Sequence, residues 1–157
     1  MDFAETGSAE AVRGEIARLR DRGFLSQREA EAVDAEAVVK LFASPLGKRM
    51  LSAPGLRREF KFSLLCPAED FFPVEPGEQV LLQGVVDCFI EEEDVTVTVI
   101  DYKTDRVKNR AEAEERAKVY AGQLRAYAGA LTRICKKPVR QCLLYFLSPG
   151  ETVEVKL

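Results

Sequence analysis

The sequence predicts an α/β domain whose central mixed β-sheet is flanked by helices and preceded by an N-terminal helical segment. Three patterns lead to this prediction. Apolar residues recur at helical spacing early in the chain, alternate with polar residues between positions 57 and 103, and return to helical spacing from Glu112 to Ile134. With 157 residues, 46% of them hydrophobic, the chain is long enough to bury the core of one such domain.

Capping signals divide the N-terminal segment into helices. Gly23 is a natural stop for the first helix. Ser26 and Glu29 form a capping-box pattern at the start of the second. Pro45 follows Ser44 at the start of the third, where proline is well tolerated. The three helices are predicted at residues 9–22, 26–42 and 45–55.

Strand patterns account for most of the remaining chain. β-branched or alternating runs are bounded by a proline-containing loop and by a Ser-Pro-Gly turn. The first three strands should form one contiguous sheet, with the helix at 112–134 packed across it. Residues 1–55 are predicted to be the helical N-terminal part of a single domain, and residues 56–157 its core. The strands are predicted at residues 57–65, 78–91, 95–103, 139–147 and 152–157.

The hairpin between Gly84 and Lys103 carries the strongest chemical signal. Asp87 lies near the middle of its first strand, while Asp101 and Lys103 end the second. Side chains alternate across a strand, so Asp101 and Lys103 share a face and Tyr102 points the other way. The rest of that face is an apolar row formed by Val95, Val97 and Val99.

A carboxylate and an ammonium at the end of an apolar row cost desolvation free energy unless a partner compensates them. Two carboxylates on adjacent strands, here Asp87 and Asp101, are able to hold a hard divalent cation. Lys103 is then placed to steady an anionic oxygen or an attacking water. The alternative is a solvated ion pair at a strand end, which contributes little. The presence of Asp87 on the neighbouring strand favours a site.

The long helix adds a second polar intrusion into an apolar pattern. A glutamine in a buried stripe needs hydrogen-bond partners. One interpretation is a half-exposed stripe in which Gln123 bonds a nearby backbone carbonyl. The other, favoured because two independent intrusions point to it, brings Gln123 and Tyr127 beside Asp101 and Lys103. The residues that fall on this helix face are Tyr120, Gln123, Leu124, Tyr127 and Leu131.

Composition excludes several kinds of chemistry. The chain has no histidine, which removes Ser-His-Asp, Cys-His and His-ligated zinc sites. Its four cysteines show neither metal-ligand spacing nor a disulfide framework, and their surroundings predict reduced core thiols in a cytoplasmic protein. No run of residues is apolar enough to span a membrane, and the first residues do not resemble a secretion signal.

Charge is unevenly distributed along the chain. The net charge of −3 argues against indiscriminate binding of nucleic acid. A basic loop beyond the Asp-x-Lys strand is nevertheless able to contact phosphates close to the two carboxylates, and the alternative is a solvated loop of mixed charge. The far end of the hairpin is an acidic turn at residues 91–94. The basic residues are Lys103, Arg106, Lys108 and Arg110.

In combination these blocks resemble the RecB-like nuclease family within the PD-(D/E)XK phosphodiesterase fold, also called restriction-endonuclease-like. They occur in the family's order and at its usual separations. Upstream, the segment from Phe42 to Phe62 resembles the C-terminal nuclease domain of AddA-type bacterial helicase–nuclease proteins. The resemblance covers nearly the whole chain. The blocks are Gly84-x-x-Asp87, Asp101-Tyr102-Lys103-Thr104-Asp105 and Tyr120-x-x-Gln123-Leu124-x-x-Tyr127.

The resemblance implies a catalytic metal site. Asp87 and Asp101 would bind Mg²⁺ or Mn²⁺, with the backbone carbonyl of Tyr102 as a further ligand. Lys103 would orient or activate the attacking water and stabilise charge that develops on the phosphate.

The family's remaining site residues also have counterparts. Gln123 and Tyr127 would support the site or touch the nucleic acid. Glu59 resembles the family's glutamate at the start of the first strand, although an ordinary strand-end carboxylate is the alternative. Two features of the family are missing from this sequence: a metal-binding histidine that usually lies just upstream, and a phosphate-binding motor loop. We therefore expect a fragment of a larger protein, with a naturally small nuclease as the alternative.

The resemblance implies a Mg²⁺-dependent deoxyribonuclease that processes ends of double-stranded DNA breaks for recombinational repair. Its implied partners are linear DNA ends and the single strands delivered by an ATP-driven motor, the helicase domains of the same polypeptide, and a second, AddB-like protein, with no membrane. The alternative is a non-catalytic module that clamps DNA or scaffolds a partner protein on a nuclease-derived fold. A purely structural α/β domain with surface ion pairs is a third interpretation.

Overall fold

The structure, a computed structural model, describes residues 7–70 and 73–156. A single 3₁₀ turn, Ala68–Asp70, follows the first strand. The helices are α1 (Ala9–Asp21), α2 (Gln27–Ala32), α3 (Ala35–Ala43), α4 (Pro45–Ser52) and α5 (Arg110–Cys135). The strands are β1 (Leu56–Pro67), β2 (Gln79–Glu91), β3 (Val97–Arg106), β4 (Val139–Ser148) and β5 (Glu151–Glu154).

The five strands form one mixed sheet in the spatial order β1-β2-β3-β4-β5. Neighbouring strands are antiparallel except β3 and β4, which run parallel because α5 carries the chain back across the sheet between them. This arrangement confirms the predicted α/β fold class, the contiguous first three strands and the long helix packed across the sheet. The division of the chain into parts 1–55 and 56–157 stays a prediction.

The sheet has an apolar core on each face. On one face α5 buries Leu124 and Leu131 against Val97, Val99 and other strand residues. The opposite face is covered by α3 and α4, which pack on alternate residues of the same strands. The residues of this second core are Leu41, Phe42, Leu46, Met50, Cys88, Ile90, Ile100, Leu143 and Tyr145. The side chains of β3 therefore alternate between a core under α5 and a core under α4.

The second predicted helix was wrong in one respect: residues 26–42 form two helices. Ser26 and Glu29 make the predicted capping box, but α2 ends at Ala32. Asp34 then takes an extended backbone conformation, and its carboxylate accepts a hydrogen bond from the N–H of Ala37, which caps α3. Aspartate favours the position before a helix over its interior, so a new helix starts there.

The apolar row on β3 was also predicted one residue too long. Val95 lies in the β2–β3 turn with a φ angle of +64° and is 59% exposed, so only Val97 and Val99 of that row are buried. The turn is closed by Asp94, whose carboxylate accepts hydrogen bonds from both the backbone and the hydroxyl of Thr96. The end of the last predicted strand, Leu157, lies outside the described residues.

The cysteines agree with the prediction of core thiols. All four are free, with Cys66, Cys88 and Cys142 buried and Cys135 partly exposed. Burial raises the pKa of Cys88 to about 11 and that of Cys142 to about 12. Among the helices in the described ranges, none combines the length and the apolar character that crossing a membrane requires.

Candidate functional site

The central feature of the site is the point where β2 and β3 separate. Their antiparallel pairing covers four residue pairs only, from Glu91 opposite Val97 to Cys88 opposite Ile100. Beyond that point β2 continues beside β1, and β3 continues beside β4. We call this point the β2–β3 fork. In the same register Asp87 and Asp101 are the next opposed positions, and opposed residues of an antiparallel pair project to one face.

Asp87 is held at the fork by a hydrogen bond to β3. The backbone N–H of Tyr102 donates to Asp87 Oδ2 at 2.9 Å. A side-chain carboxylate thus takes the place of the strand carbonyl that this N–H would meet in a continuing ladder. The contact fixes one oxygen of Asp87 toward β3.

Asp101 and Lys103 are the predicted ion pair on β3. Lys103 Nζ lies 2.6 Å from Asp101 Oδ2, and the two side chains are only 13% and 4% exposed. Burial raises the pKa of Asp101 above its ordinary value; the ammonium of Lys103 opposes the shift and the nearby charge of Asp87 adds to it. Despite the short distance, no donor in the described part of the chain forms a well-aligned hydrogen bond with the buried Asp101 Oδ2.

Helix α5 delivers two polar side chains to the same place. Lys103 Nζ donates to Gln123 Oε1 at 3.1 Å, and Gln123 Nε2 donates to the hydroxyl of Tyr127 at 2.9 Å. Gln123 itself is exposed at the edge of the helix stripe, while Leu124 beside it is fully buried. Of the two interpretations of this stripe, the structure shows the one in which Gln123 and Tyr127 lie beside the Asp101–Lys103 pair.

Gly84 has a steric role in the site. A Cβ atom on Gly84 would lie 3.0 Å from ring atoms of Phe62 and from Tyr127 Cε1. The rings of Phe62 and Tyr127 meet edge to face, with centroids 5.9 Å apart. The absent side chain at position 84 therefore leaves room for the ring that receives the Gln123 hydrogen bond.

Sequence reasoning missed two further residues that contact the site. The ring of Tyr120 lies under the ammonium of Lys103, with Nζ 3.9 Å from the ring centroid. The Tyr120 hydroxyl donates to Asp105 Oδ2 at 2.7 Å. Both positions were visible in the sequence: Asp105 follows Lys103 by two residues on the same strand, and Tyr120 precedes Gln123 by one helical turn.

Glu59 faces the fork from β1 across an interruption. The β1–β2 pairing includes Arg58 with Cys88 and Phe60 with Val86, but it skips Glu59 and Asp87 between them. Glu59 has a φ angle of +50° and an exposed side chain. This left-handed conformation is unfavourable for a residue with a Cβ atom. The structure thus places Glu59 near the predicted site on the backbone, and its role stays a prediction.

Tyr102 and the basic loop lie where the sequence predicts them. The Tyr102 side chain points to the opposite face, where its hydroxyl contacts Met50 Sδ at 3.7 Å. Arg106, Lys108 and Arg110 are exposed beyond the end of β3. Arg110 forms ion pairs with glutamates of α5 and β5, so part of this loop's charge is already balanced.

The main cavity lies at the other end of the hairpin, away from the fork. It has a volume of about 730 Å³ and is lined by the acidic turn and by Arg49 of α4. The Arg49 guanidinium donates to Glu92, to Thr98 and to Gln141 at 2.7–2.9 Å. Arg49 therefore ties α4 to the strands, and this cavity contains none of the predicted site residues.

The oxygen ligands at the fork suit a hard divalent cation. Asp101 Oδ2 is a buried carboxylate oxygen without a well-aligned donor, and Asp87 uses one oxygen for Tyr102. Mg²⁺ is commonly bound through one or two carboxylates and keeps several waters. Within residues 7–70 and 73–156, no cluster of three or more Asp, Glu, His or Cys side chains is placed to hold a metal ion. The side chains therefore fit a lightly ligated magnesium-type site better than a closed zinc site.

Comparison with known proteins decides the family. The family model of the PD-(D/E)XK nuclease superfamily matches residues 4–156. The chain belongs to this superfamily. Nucleases of the PD-(D/E)XK superfamily generally use divalent metal ions, in agreement with the oxygen ligands at the fork.

Curated relatives of this superfamily member are named as the A subunit of an ATP-dependent helicase/nuclease. The protein from Desulforudis audaxviator is 39% identical over 96% of this chain, and the one from Geobacillus thermodenitrificans is 41% identical over 92%. The Bacillus mycoides protein is 35% identical over 99%. The chain spans only 12–13% of the length of these relatives. The comparisons confirm the predicted resemblance and support a nuclease as the chemical class.

Proposed function

We propose that this chain hydrolyses DNA phosphodiester bonds in a metal-dependent reaction, as the nuclease part of a helicase–nuclease that processes broken DNA ends for repair. The observation that carries the proposal is the β2–β3 fork. It opposes Asp87 to Asp101 and sets a buried lysine ammonium 2.6 Å from one of the carboxylates. Such a concentration of charge at the end of an apolar row is costly for a purely structural element.

Asp87 and Asp101, with the backbone carbonyl of Tyr102, are the proposed ligands of Mg²⁺ or Mn²⁺. A divalent cation bound there supplies Lewis-acid polarisation of the phosphate and a lowered pKa of bound water. The raised pKa of Asp101 has burial as its main cause, with the charge of Asp87 adding to it. A cation between the two carboxylates would relieve both effects, which supports their shared role.

Lys103 is the proposed electrostatic catalyst. Its ammonium is fixed between Asp101 Oδ2 and Gln123 Oε1, so little reorganisation is needed when charge develops on a phosphate oxygen. The amide nitrogen of Gln123 donates to Tyr127, whose ring packs edge-on against Phe62, and this contact gives the amide a fixed orientation. Glu59 is proposed as a further site residue on β1.

The substrate would be a DNA strand led to the fork by other parts of a larger assembly. The net charge of −3 gives the domain little general attraction for a polyanion, although the exposed Arg106 and Lys108 lie beyond β3. We therefore include in the proposal a cytoplasmic location, an ATP-driven motor in the same polypeptide and a second, AddB-like protein. The relatives' printed name supports the helicase component.

A second candidate function is a non-catalytic module that clamps DNA or scaffolds a partner. The lack of a third acidic, histidine or cysteine ligand in the described part of the chain favours it. The two candidates differ in one measurable respect. A clamp needs positive charge but has no use for Asp87 and Asp101 as a pair, whereas a nuclease fails without either.

The test is degradation of end-labelled linear DNA by the intact protein with Mg²⁺ or Mn²⁺. Asp87→Asn and Lys103→Ala should each abolish cleavage while DNA binding and any ATP-driven unwinding persist. A matched control is Lys118→Ala, which removes an exposed ammonium paired with Glu115 on α5. Cleavage that continues unchanged in Asp87→Asn, with any partner nuclease inactivated, would favour the clamp.

A further inference from the structure

The aromatic ring beneath Lys103 is an unassigned part of the site. The Lys103 ammonium lies 3.9 Å from the centroid of the Tyr120 ring. The Tyr120 hydroxyl donates to Asp105 Oδ2, and Arg116 Nε donates to Asp105 Oδ1 at 2.6 Å. These contacts form a chain from Arg116 through Asp105 and Tyr120 to the ammonium.

The ring differs from Asp101, the carboxylate beside the ammonium, in having no net charge. Lysine has a flexible four-carbon stem, so its ammonium stays where its neighbours hold it. Asp101 attracts the ammonium but also offsets its charge, and a cation at the fork would compete for the same carboxylate oxygen. The face of an aromatic ring attracts an ammonium without neutralising it. Lys103 thus keeps its positive charge available for a phosphate.

Asp105 fixes the plane of this ring. Its two oxygens receive the hydrogen bonds from Tyr120 and Arg116, and the pKa of Asp105 is lowered chiefly by the Tyr120 hydroxyl, with Arg116 contributing as well. A ring fixed at its hydroxyl end cannot turn away from Lys103 without breaking a charge-assisted hydrogen bond.

We propose that Tyr120 is a positioning residue for Lys103, with Asp105 holding the Tyr120 ring. This inference rests on the proposed function, because it assigns the position of Lys103 a role in hydrolysis. The interaction acts on the transition state through the ammonium and not on DNA binding. Substitutions at Tyr120 should therefore change kcat and leave KM for DNA almost unchanged.

The first experiment compares Tyr120→Leu with Tyr120→Phe in the intact protein. Loss of a partly desolvated cation–π contact should lower kcat about tenfold in Tyr120→Leu. Tyr120→Phe keeps the ring face and loses only the hydroxyl, so it should stay within about threefold of the unsubstituted protein. Equal kcat values for Leu, Phe and Tyr at this position, in folded proteins, would overturn the proposal.

The second experiment grades the ring's electrostatics at constant shape. Phenylalanine analogues with increasing fluorination at position 120 should lower kcat step by step, because fluorine withdraws charge from the ring face. The matched control is the same series at Phe60, a half-buried ring packed edge-on against Phe89. A kcat at position 120 that ignores fluorination, or falls equally at position 60, would show that the ring acts only by packing.

A third measurement does not depend on cleavage. An ammonium above a ring places the Lys103 Cε protons in the ring current, so their NMR signal should shift upfield and return to its usual position in Tyr120→Leu. The same signal in both proteins would overturn the placement of Lys103. A shifted signal in a protein that cleaves no DNA would instead overturn the proposed function. A cleaving protein with the shift but no dependence of kcat on the ring would overturn the positioning role alone.

Discussion

Asp87 Oδ2 accepts a 2.9 Å hydrogen bond from the backbone N–H of Tyr102 at the point where β2 and β3 stop pairing. One carboxylate oxygen thereby joins the two strands, and the residue before Tyr102 is the second acidic residue of the site. The structural and the proposed chemical roles of Asp87 are thus carried by the same side chain. They are separable by choosing substitutions that keep one role and remove the other.

We predict that Asp87→Asn and Asp87→Ala differ in stability. Asparagine retains an oxygen that is able to accept the Tyr102 N–H, whereas alanine leaves this partly buried donor without its partner. Asp87→Ala should therefore lose about 1–2 kcal/mol of unfolding free energy relative to Asp87→Asn. Urea titrations of both proteins measure the difference. Equal midpoints would mean that water replaces the carboxylate and that the hydrogen bond does not stabilise the fork.

Gly84→Ala should destabilise the protein and disturb the Tyr127 ring. The new Cβ would lie 3.0 Å from ring atoms of Phe62 and Tyr127, and overpacking of this kind costs about 1–3 kcal/mol. The control is Gly122→Ala on the exposed face of α5, where nothing lies within 4 Å of the added atom. That substitution should stabilise the helix by about 0.5–1 kcal/mol. Thermal or urea unfolding of the pair gives the sign of each change, and a neutral Gly84→Ala would refute the steric role.

The hydrogen bonds of Gln123 should contribute unequally to cleavage. Gln123→Met removes the oxygen that receives the Lys103 ammonium, and a hydrogen bond to a charged group contributes about 1.5–3 kcal/mol. Tyr127→Phe removes only the acceptor of the Gln123 amide, a neutral contact of about 1 kcal/mol. We expect the rate to fall at least tenfold in the first variant and severalfold in the second. Because Gln123 is exposed, unfolding of Gln123→Met should match the unsubstituted protein. The reverse order of rates would contradict the geometry.

Stability at the far end of the hairpin should depend on pH through Glu91. Lys137 Nζ donates to Glu91 Oε2 at 2.5 Å, and this bond, with a smaller contribution from Arg57, lowers the pKa of Glu91 below its ordinary 4.5. A carboxyl whose pKa is lower in the folded state stabilises the protein above the unfolded pKa and loses that contribution as the pH falls through the folded pKa. Glu91→Gln should therefore be less stable than the unsubstituted protein near neutral pH, and the difference should vanish in acid. Denaturant titrations across this range test it, and a constant difference would contradict the assignment.

Local patterns in the sequence predicted the elements of this fold well. The capping box at Ser26, the proline at the start of α4 and the alternation on β3 each depend on a few neighbouring residues, so they were readable without the fold. The break before Asp34 was missed because aspartate is tolerated within helices and no glycine or proline marks the boundary. Val95 was assigned to the wrong element because alternation alone does not reveal a turn residue with positive φ.

The candidate site residues could be selected from the sequence, but the fork could not. Asp101 and Lys103 interrupt an apolar row, and Gln123 interrupts a helix stripe, so both intrusions were visible. The length of the β2–β3 ladder depends on how β3 pairs with β4, a partner that follows a whole helix later. Tyr120 was placed on the correct helix face, but its contact with Lys103 depends on how α5 crosses the sheet. Such long-range geometry leaves no local signal.

Binding of Mn²⁺ at the β2–β3 fork tests the central claim most directly. With two carboxylates and one backbone carbonyl as protein ligands, water must fill about half of a six-ligand shell, so we predict weak binding at a single site. Calorimetric titration should show this site in the unsubstituted protein and its loss in Asp87→Asn and in Asp101→Asn alike, with Glu115→Gln on the exposed face of α5 as a matched control that binds normally. Retention of full Mn²⁺ affinity by either aspartate variant, in a folded protein, would contradict a cation shared by Asp87 and Asp101.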